Sequence, residues 1–117
     1  MMNPPRPIEE ILASLPSLSR HRILVVGDLF LDEYVEGQMI EISKEGPIPV
    51  VAFRSRATSA GAACNPASSI RHLGAPVSVV GVVGDDAHGA TLLAELGEKE
   101  IDTRGIVVDA EKPTLTY

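Results

Sequence analysis

Two short segments that are apolar at almost every position, 22–27 and 77–83, limit the folds that this chain can adopt. A strand with apolar side chains on both faces must be covered on both, which is typical of parallel sheets flanked by helices. The spacing of apolar residues predicts helices over 62–73 and 86–97. The remaining predicted strands are 105–108 and 113–117. This alternation predicts an open, mostly parallel α/β sheet, with 22–27 as a central strand.

The composition agrees with such a fold and excludes several classes of function. Aromatic residues make up only 3% of the chain, so the interior is built from Val, Ile, Leu and Ala. The net charge of −6 offers no basic surface to nucleic acids or acidic membranes. Cys64 is the single cysteine, which excludes an intrachain disulfide or a Cys-rich zinc site, and we expect it to pack as a small apolar residue. No apolar signal segment or membrane span is present, so the expected location is the cytoplasm.

The first 21 residues are predicted to precede the main domain, which covers 22–117. Residues 1–21 combine a Pro-rich leader with a short amphipathic helix, because apolar residues recur at positions 8, 11, 12 and 15. Residues 33–56 alternate imperfectly between polar and apolar and contain two prolines in their second half. This pattern favours a small, half-exposed sheet that projects from the main body, with its second strand at an edge.

Polar residues beside the first predicted strand and the first predicted helix are candidates for a small-molecule site. Asp28 and Asp32 follow strand 22–27, and an ionised carboxylate accepts hydrogen bonds from two neighbouring sugar hydroxyls. Gly61 and Ala62 leave little side-chain bulk near Asn65, whose amide group both donates and accepts. The alternatives are solvated loop acids or helix caps for the aspartates, and a capping amide for Asn65.

The glycine-containing segments do not match a known nucleotide-binding loop. Gly81, Gly84 and Gly89 follow the pattern G-x-x-G-x-x-x-x-G, whereas the dinucleotide fingerprint is G-x-G-x-x-G. No Gly-Lys-Ser/Thr sequence occurs, which excludes a Walker A loop. Asp85 or Asp86 is expected to cap the helix that follows.

Six short segments occur in a characteristic order and spacing: Val25-Val-Gly-Asp-Leu-Phe-Leu-Asp32, Ile42-Ser-Lys-Glu-Gly-Pro-Ile-Pro-Val-Val51, Gly61-Ala-Ala-Cys-Asn-Pro-Ala67, Leu73-Gly-Ala75, Gly81-Val-Val-Gly-Asp-Asp-Ala-His-Gly89 and Pro113-Thr114. Together they resemble the N-terminal part of the ribokinase-like (PfkB) carbohydrate kinases, and within that family the heptose 7-phosphate kinase branch. The resemblance covers 22–117. It implies an open, three-layer, mostly parallel α/β sheet with a projecting β-lid over 33–56.

The resemblance also implies roles for the candidate site residues. Asp32 corresponds to the family's sugar-binding aspartate, and Gly61, Ala62 and Asn65 correspond to its Gly-Gly-x-x-Asn helix opening. Asp28 is expected to bind substrate beside them. The lid over 33–56 would close over the sugar and pair with the lid of a second subunit, which implies a homodimer.

Three positions depart from the family pattern. Ala62 replaces the second glycine, so a methyl group intrudes where the sugar would approach. Glu33 and Glu41 stand where the heptose branch carries arginines, and two acids are expected to disfavour a phosphorylated sugar by repulsion. Lys44 would offset that repulsion and is therefore included among the predicted substrate-binding residues.

The function implied by the resemblance is ATP-dependent phosphorylation of a hydroxyl of a sugar or sugar phosphate, with ATP and Mg²⁺ as cofactors. The family's catalytic base lies in a Gly-Ala-Gly-Asp segment of the C-terminal half, where the nucleotide also binds. No such segment occurs in this chain, which stops within a predicted strand. We therefore interpret the chain as the front portion of a longer kinase, without catalytic, cofactor-binding or metal-binding residues and inactive alone.

Two other hypotheses remain open at this point. The first is a non-catalytic sugar-binding or dimerisation module derived from the same fold, and it is motivated by the departures at Ala62, Glu33 and Glu41. The second is a generic nucleotide-binding α/β domain, which the absence of a recognisable phosphate-binding glycine loop disfavours.

Overall fold

The computed structural model describes residues 6–117. The elements in chain order are α1 (Ile8–Ser14), a 3-10 helix (Leu15–Arg20), β1 (Ile23–Val26), β2 (Leu29–Ile42), β3 (Pro49–Ala62), α2 (Cys64–His72), β4 (Val77–Gly84), α3 (Ala87–Glu98), β5 (Asp102–Asp109) and β6 (Leu115–Thr116). The predicted order of helices and strands is therefore confirmed from β1 to β6.

The N-terminal segment contains the predicted helix, but that helix does not pack against the body. Residues 1–5 of the predicted leader lie outside the described residues. In α1, the side chains of Ile8, Ile11 and Leu12 are all exposed. Of the apolar stripe that predicted the helix, only Leu15 is half-buried within residues 6–117.

Both predicted helices of the main domain form, for the local reasons that the sequence suggested. Pro66 is the third residue of α2, within the first turn, where its missing N–H is not required. Gly74 follows α2 with φ of +94°, a left-handed conformation that ends the helix. Asp86 caps α3, and its side chain accepts a hydrogen bond from the N–H of Gly89. No helix of residues 6–117 is long and apolar enough to cross a membrane.

The first sheet has three parallel strands in the order β1-β4-β5. Ile23 of β1 pairs with Val77 of β4, and Gly84 at the end of β4 pairs with Asp109 of β5. The central strand of the described sheet is therefore β4. The prediction that strand 22–27 is central is wrong for this sheet. An apolar segment indicates that a strand is to be covered on both faces, but it does not determine the order of the strands.

The second sheet has the order β3-β2-β6 and contains the predicted lid. β2 and β3 form a long antiparallel hairpin that begins where Leu29 pairs with Ala62 and ends where Ile42 pairs with Pro49. Residues 33–56 are the outer part of this hairpin, and its two strands continue without a break into the body. β3 is an edge strand, as its prolines predicted. The last strand, β6, pairs in parallel with β2 and does not extend the first sheet.

The core lies between α2, α3, the first sheet and the base of the hairpin. Helix and strand side chains pack together there because both sheets turn an apolar face to the two helices. The buried core residues are Leu29, Leu31, Ala60, Cys64, Ala67, Val77, Val79, Val83, Leu92, Leu96 and Ile101. The base of the hairpin is thus fixed to the body, whereas its outer part projects from it.

The other face of the first sheet is not covered by helices of the described chain. Leu24, Val26, Val82 and Val107 are exposed on it, and a groove of about 690 Å³ lies against it. The α/β fold with a parallel sheet is confirmed. The third layer implied by the resemblance would lie on this open face.

Candidate functional site

Asp32 lies on β2 where the hairpin leaves the body, and its main chain is held from both sides. Its partner across the antiparallel pair is Ser59 of β3. On the other side, the N–H of Tyr117 donates to the carbonyl of Leu31 (3.2 Å), and the N–H of Glu33 donates to the carbonyl of Tyr117 (2.8 Å). Asp32 is thus flanked by hydrogen bonds to two strands, with its side chain half-buried.

The carboxylate of Asp32 lies directly over Gly61 of β3. A Cβ atom built on Gly61 would stand 2.7 Å from Cγ and 2.8 Å from Oδ1 of Asp32, and closer still to Oδ2. Any side chain at position 61 would therefore displace the carboxylate. The structure brings together Asp32 and Gly61, the two residues that the sequence placed in one site.

Ala62 occupies the turn between β3 and α2 in an unusual conformation. Its φ is +50°, in the left-handed region that glycine adopts without cost and alanine does not. Ala63 returns to the helical region with φ of −61°, and its N–H donates to the carbonyl of Asp28 (3.0 Å). The methyl group of Ala62 is exposed beside Gly61. The backbone therefore keeps the conformation expected of a glycine although an alanine is present.

Asn65 is the second residue of α2 and is exposed. The N-cap of α2 is Ala63, which has no capping side chain, so the alternative that Asn65 is the N-cap does not hold.

Asp28 and Lys44 are the other two predicted substrate-binding residues, and they lie in different parts of the chain. Asp28 is exposed and lines the groove on the open face of the first sheet, although its carbonyl binds the turn at Ala63. Lys44 is exposed in the turn that joins β2 to β3. At about 3.3 Å per residue, the ten residues from Asp32 to Ile42 already separate Lys44 from the site by roughly 30 Å along the strand. The structure therefore places Lys44 far from Asp32, and the role of Asp28 in substrate binding stays a prediction.

Glu33 does not face the site that it was expected to repel. Its Oε1 lies 3.3 Å from Nε2 of His88 in α3 and 4.0 Å from Nη1 of Arg56 in β3. Neighbouring residues of a strand point to opposite faces, so Glu33 points towards α3 while Asp32 points towards Gly61. Glu41 is exposed near the tip of the hairpin. Glu33 therefore points away from Asp32 and Glu41 lies near the far end of the hairpin, and the repulsion of a phosphorylated sugar stays a prediction.

The contact between Thr114 and Asp86 was not predicted from the sequence. Asp86 was predicted as a helix cap, which is confirmed by its 2.7 Å hydrogen bond from the N–H of Gly89. The same carboxylate also accepts from the N–H (2.8 Å) and the hydroxyl (2.7 Å) of Thr114. These bonds, led by the N–H of Thr114, lower the pKa of Asp86 to about 2. The Pro113-Thr114 pair was the only signal for this contact in the sequence.

The contact between Glu95 and the backbone of β3 was also not predicted, for a different reason. It lies in the middle of α3, where an acid ordinarily faces solvent. Its Oε2 accepts a 2.8 Å hydrogen bond from the N–H of Ala60, and its Oε1 accepts one of 2.7 Å from Nζ of Lys99. No local pattern in the sequence indicates a contact between residues 35 positions apart.

Cys64 is a packing residue, as the sequence predicted. It is fully buried. Burial, followed by the negative charge of Glu95, raises the pKa of its thiol to about 11. The thiol is therefore protonated and unreactive at neutral pH.

Metal or nucleotide contacts do not emerge from these residues. Among residues 6–117, no group of three or more His, Cys, Asp or Glu side chains is placed to hold a metal ion. The observed geometry places the Asp32 carboxylate over the Gly61 backbone, where it accepts hydrogen bonds from a polar ligand, and leaves Asn65 exposed in the first turn of α2.

Comparisons with known proteins identify the family of this chain. A family model described as pfkB family carbohydrate kinase matches residues 20–117. The bifunctional protein HldE of Rhodopseudomonas palustris (strain BisB18) is 43% identical over 102 residues, which are 87% of this chain and 21% of that protein. HldE of Magnetococcus marinus is 45% identical over 94 residues, 80% of this chain and 19% of that protein. The chain thus spans about a fifth of the length of these curated relatives.

A solved structure shows the same fold. The crystal structure of fructokinase with bound ATP from Xylella fastidiosa superposes with a TM-score of 0.61 at 28% sequence identity. The superposition covers 81% of this chain and 28% of the fructokinase chain.

Proposed function

The chain belongs to the pfkB family of carbohydrate kinases, and we propose that it is the sugar-binding portion of an ATP-dependent kinase that phosphorylates a hydroxyl of a sugar or sugar phosphate. The observation that carries this proposal is the position of the Asp32 carboxylate over Gly61. A carboxylate held there presents acceptors to two adjacent hydroxyls, and the missing side chain at Gly61 leaves the backbone open to a close ligand.

The remaining substrate contacts are assigned to the start of α2. Asn65 is exposed there and is not engaged as the helix N-cap. Its amide donates to one hydroxyl and accepts from another, which complements the acceptor-only carboxylate of Asp32. In this proposal Asp32, Asn65 and the Gly61 backbone orient the sugar so that one hydroxyl meets the phosphoryl donor in line.

The substrate that we propose is a heptose 7-phosphate or a similar sugar phosphate. Support comes from the motifs shared with the heptose 7-phosphate kinase branch and from the identity with HldE proteins. Glu33 and Glu41 were expected to disfavour a phosphorylated sugar. The Glu33 carboxylate is turned towards His88 and Arg56, and Glu41 lies near the hairpin tip. Lys44 at the hairpin tip contributes only if the lid folds over the ligand or if a second subunit supplies it.

The phosphoryl donor is proposed to be ATP with Mg²⁺, because a related fructokinase structure contains ATP. The proposal assigns no nucleotide or metal contact to residues 6–117, which gather no metal-binding cluster. The catalytic base is assigned to a Gly-Ala-Gly-Asp segment that this sequence does not contain. The chain alone is therefore expected to release no ADP above background in a coupled assay with ATP and sugars, and robust turnover would contradict this assignment.

The lid is proposed to carry a homodimer contact. Its outer part exposes large apolar side chains, including Met39, Ile40, Ile42 and Phe53, which a monomer in water ordinarily hides. A non-catalytic sugar-binding or dimerisation module is the second candidate function, and the alanine at position 62 favours it. That candidate predicts sugar binding and dimerisation by a longer protein that lacks any turnover.

The proposal is tested by measuring the affinity of the chain for a heptose 7-phosphate and for fructose by titration calorimetry. Asp32→Asn removes the charged acceptor, and Gly61→Ala displaces the carboxylate. Each variant is expected to weaken binding of the preferred sugar at least tenfold. Asp85→Asn is the matched control, because Asp85 is an exposed aspartate outside the site. Equal affinities of wild type, Asp32→Asn and Asp85→Asn would refute the site.

A further inference from the structure

The strand that carries Asp32 has one neighbour on each side, and each neighbour is attached to α3. β3 pairs with β2 on one side and the two-residue β6 pairs with it on the other. Asp32 can hold its position over Gly61 only if both neighbours keep their register with β2. A two-residue strand makes too few ladder bonds to secure its own place.

β6 is secured through Thr114, which immediately precedes it. Thr114 is only 5% exposed. Its N–H and hydroxyl both donate to the Asp86 carboxylate, and its hydroxyl oxygen accepts from the N–H of Gly84 at 2.9 Å. A Cβ atom on Gly89 would stand 2.9 Å from the Thr114 hydroxyl oxygen, so the glycine makes room for the contact. The N-terminus of α3 thereby holds the segment that leads into β6.

β3 is secured through Ala60, the residue before Gly61. The Ala60 N–H donates to the Glu95 carboxylate at 2.8 Å, on the side of β3 that has no neighbouring strand in the described chain. Lys99, one turn further along α3, binds the other oxygen of Glu95 at 2.7 Å. Ala60 itself is buried against the core. The middle of α3 thereby holds the residue next to the glycine of the site.

We propose that Asp86 and Glu95 are positioning residues of the sugar site, each of which fixes one of the two strands that enclose Asp32. The inference rests on the proposed sugar-binding role of Asp32 and Gly61. Neither carboxylate touches the ligand in this arrangement; both act through backbone groups. The lowered pKa of Asp86 agrees with a carboxylate that accepts several hydrogen bonds. Sites of this kind tolerate displacements of only about 0.5 Å before binding weakens.

The test uses two matched pairs of variants in the 117-residue chain and a heptose 7-phosphate as the probe. Thr114→Val removes the hydroxyl while Thr114→Ser keeps it, and Glu95→Ala removes the acceptor while Glu95→Gln keeps an uncharged one. Ile101→Val serves as a general destabilisation control, because Ile101 is buried in the core and precedes β5. Amide hydrogen exchange by NMR and the sugar dissociation constant are measured for each.

We expect Thr114→Val to speed hydrogen exchange of the Glu33 and Tyr117 amides at least tenfold. We expect Glu95→Ala to speed exchange of the Ala60 amide at least tenfold. Amides of β4 from Val77 to Val83 are expected to change by less than threefold in both, whereas the Gly84 amide, which donates to the Thr114 hydroxyl, is expected to exchange faster in Thr114→Val. The sugar dissociation constant is expected to rise at least fivefold in both, with recovery in Thr114→Ser and partial recovery in Glu95→Gln. Ile101→Val is expected to speed exchange in β4 as well and to leave the dissociation constant unchanged.

The inference is overturned if the two loss variants speed exchange uniformly, as Ile101→Val does, or if they leave the sugar affinity at the wild-type value. Failure of the proposed function has a different signature, since the wild-type chain then binds neither the heptose 7-phosphate nor any other sugar. In that case the exchange ratios still decide whether Asp86 and Glu95 hold the two strands.

Discussion

Replacement of Ala62 by glycine is expected to stabilise the fold. Ala62 has φ of +50°, and this left-handed conformation costs a non-glycine residue about 1–2 kcal/mol. Glycine relieves that cost but gives the unfolded chain more freedom, which offsets about 0.4–1 kcal/mol. The alanine methyl is exposed, so its removal sacrifices little buried surface. The net expectation is a free energy of unfolding higher by about 0.5–1 kcal/mol, or about 2–5 °C in Tm for a chain of this size.

The assay is urea unfolding followed by circular dichroism, with Ala90→Gly as the matched control. Ala90 is also exposed, but it lies within α3, where glycine costs about 1 kcal/mol relative to alanine. The two substitutions make the same chemical change and are expected to have opposite signs. If Ala62→Gly lowers the unfolding free energy as Ala90→Gly does, then Ala62 does not hold the left-handed conformation, and the glycine-like turn is refuted.

Three further predictions follow from the same geometry. Gly74→Ala is expected to destabilise the fold by about 1–2 kcal/mol through the backbone alone, because φ of Gly74 is +94° and no atom lies within 4 Å of the added Cβ. An unchanged urea midpoint would contradict this prediction. Cys64 of the folded chain is expected to react with iodoacetamide at pH 8 at least about 100-fold more slowly than Cys64 of the urea-unfolded chain, because the thiol is buried and its pKa is raised to about 11. Rapid labelling of the folded chain would refute this prediction. The free energy of unfolding is expected to fall as the pH drops from about 4 to about 2. Folding lowers the pKa of Asp86 from 3.8 to about 2. The contribution of Asp86 to stability is therefore complete above about pH 4 and is lost when the carboxylate is protonated. Asp86→Asn should make that decline shallower, with the rest due to other acids such as Asp102, and an identical pH profile would exclude Asp86 as a contributor.

Local elements were predictable because their causes are local. Apolar runs with flanking glycine, proline and capping residues determined α2, α3 and β4 to within two residues at each end. The edge position of β3 followed from its prolines, since a missing N–H is tolerated only where no neighbour needs it. The placement of Asp32 and Gly61 in one site was predicted through the shared family motif, and the hairpin geometry brings the Asp32 carboxylate over Gly61.

The sequence did not predict contacts between segments that are distant in the chain. Lys44 was included in the site to offset the charges of Glu33 and Glu41, and no sequence pattern showed that a 14-residue strand carries the hairpin tip far from the body. Glu33 was expected to act on the ligand because the heptose branch carries an arginine at that position, and its contacts with His88 and Arg56 were not predicted. To predict the roles of Thr114 and Glu95, one would have to know which backbone N–H groups lack a partner in the sheet.

The sequence by itself therefore determined the kinds of element, their order and the residues that carry the carbohydrate-kinase motif. Those properties depend on side-chain periodicity and on turn chemistry within a few residues. Only the tertiary structure decided that β4 is the central strand, that β6 joins β2, and that α3 holds both strands beside Asp32. Such contacts are set by the simultaneous satisfaction of buried polar groups and packing across the whole fold, which no single stretch of sequence specifies.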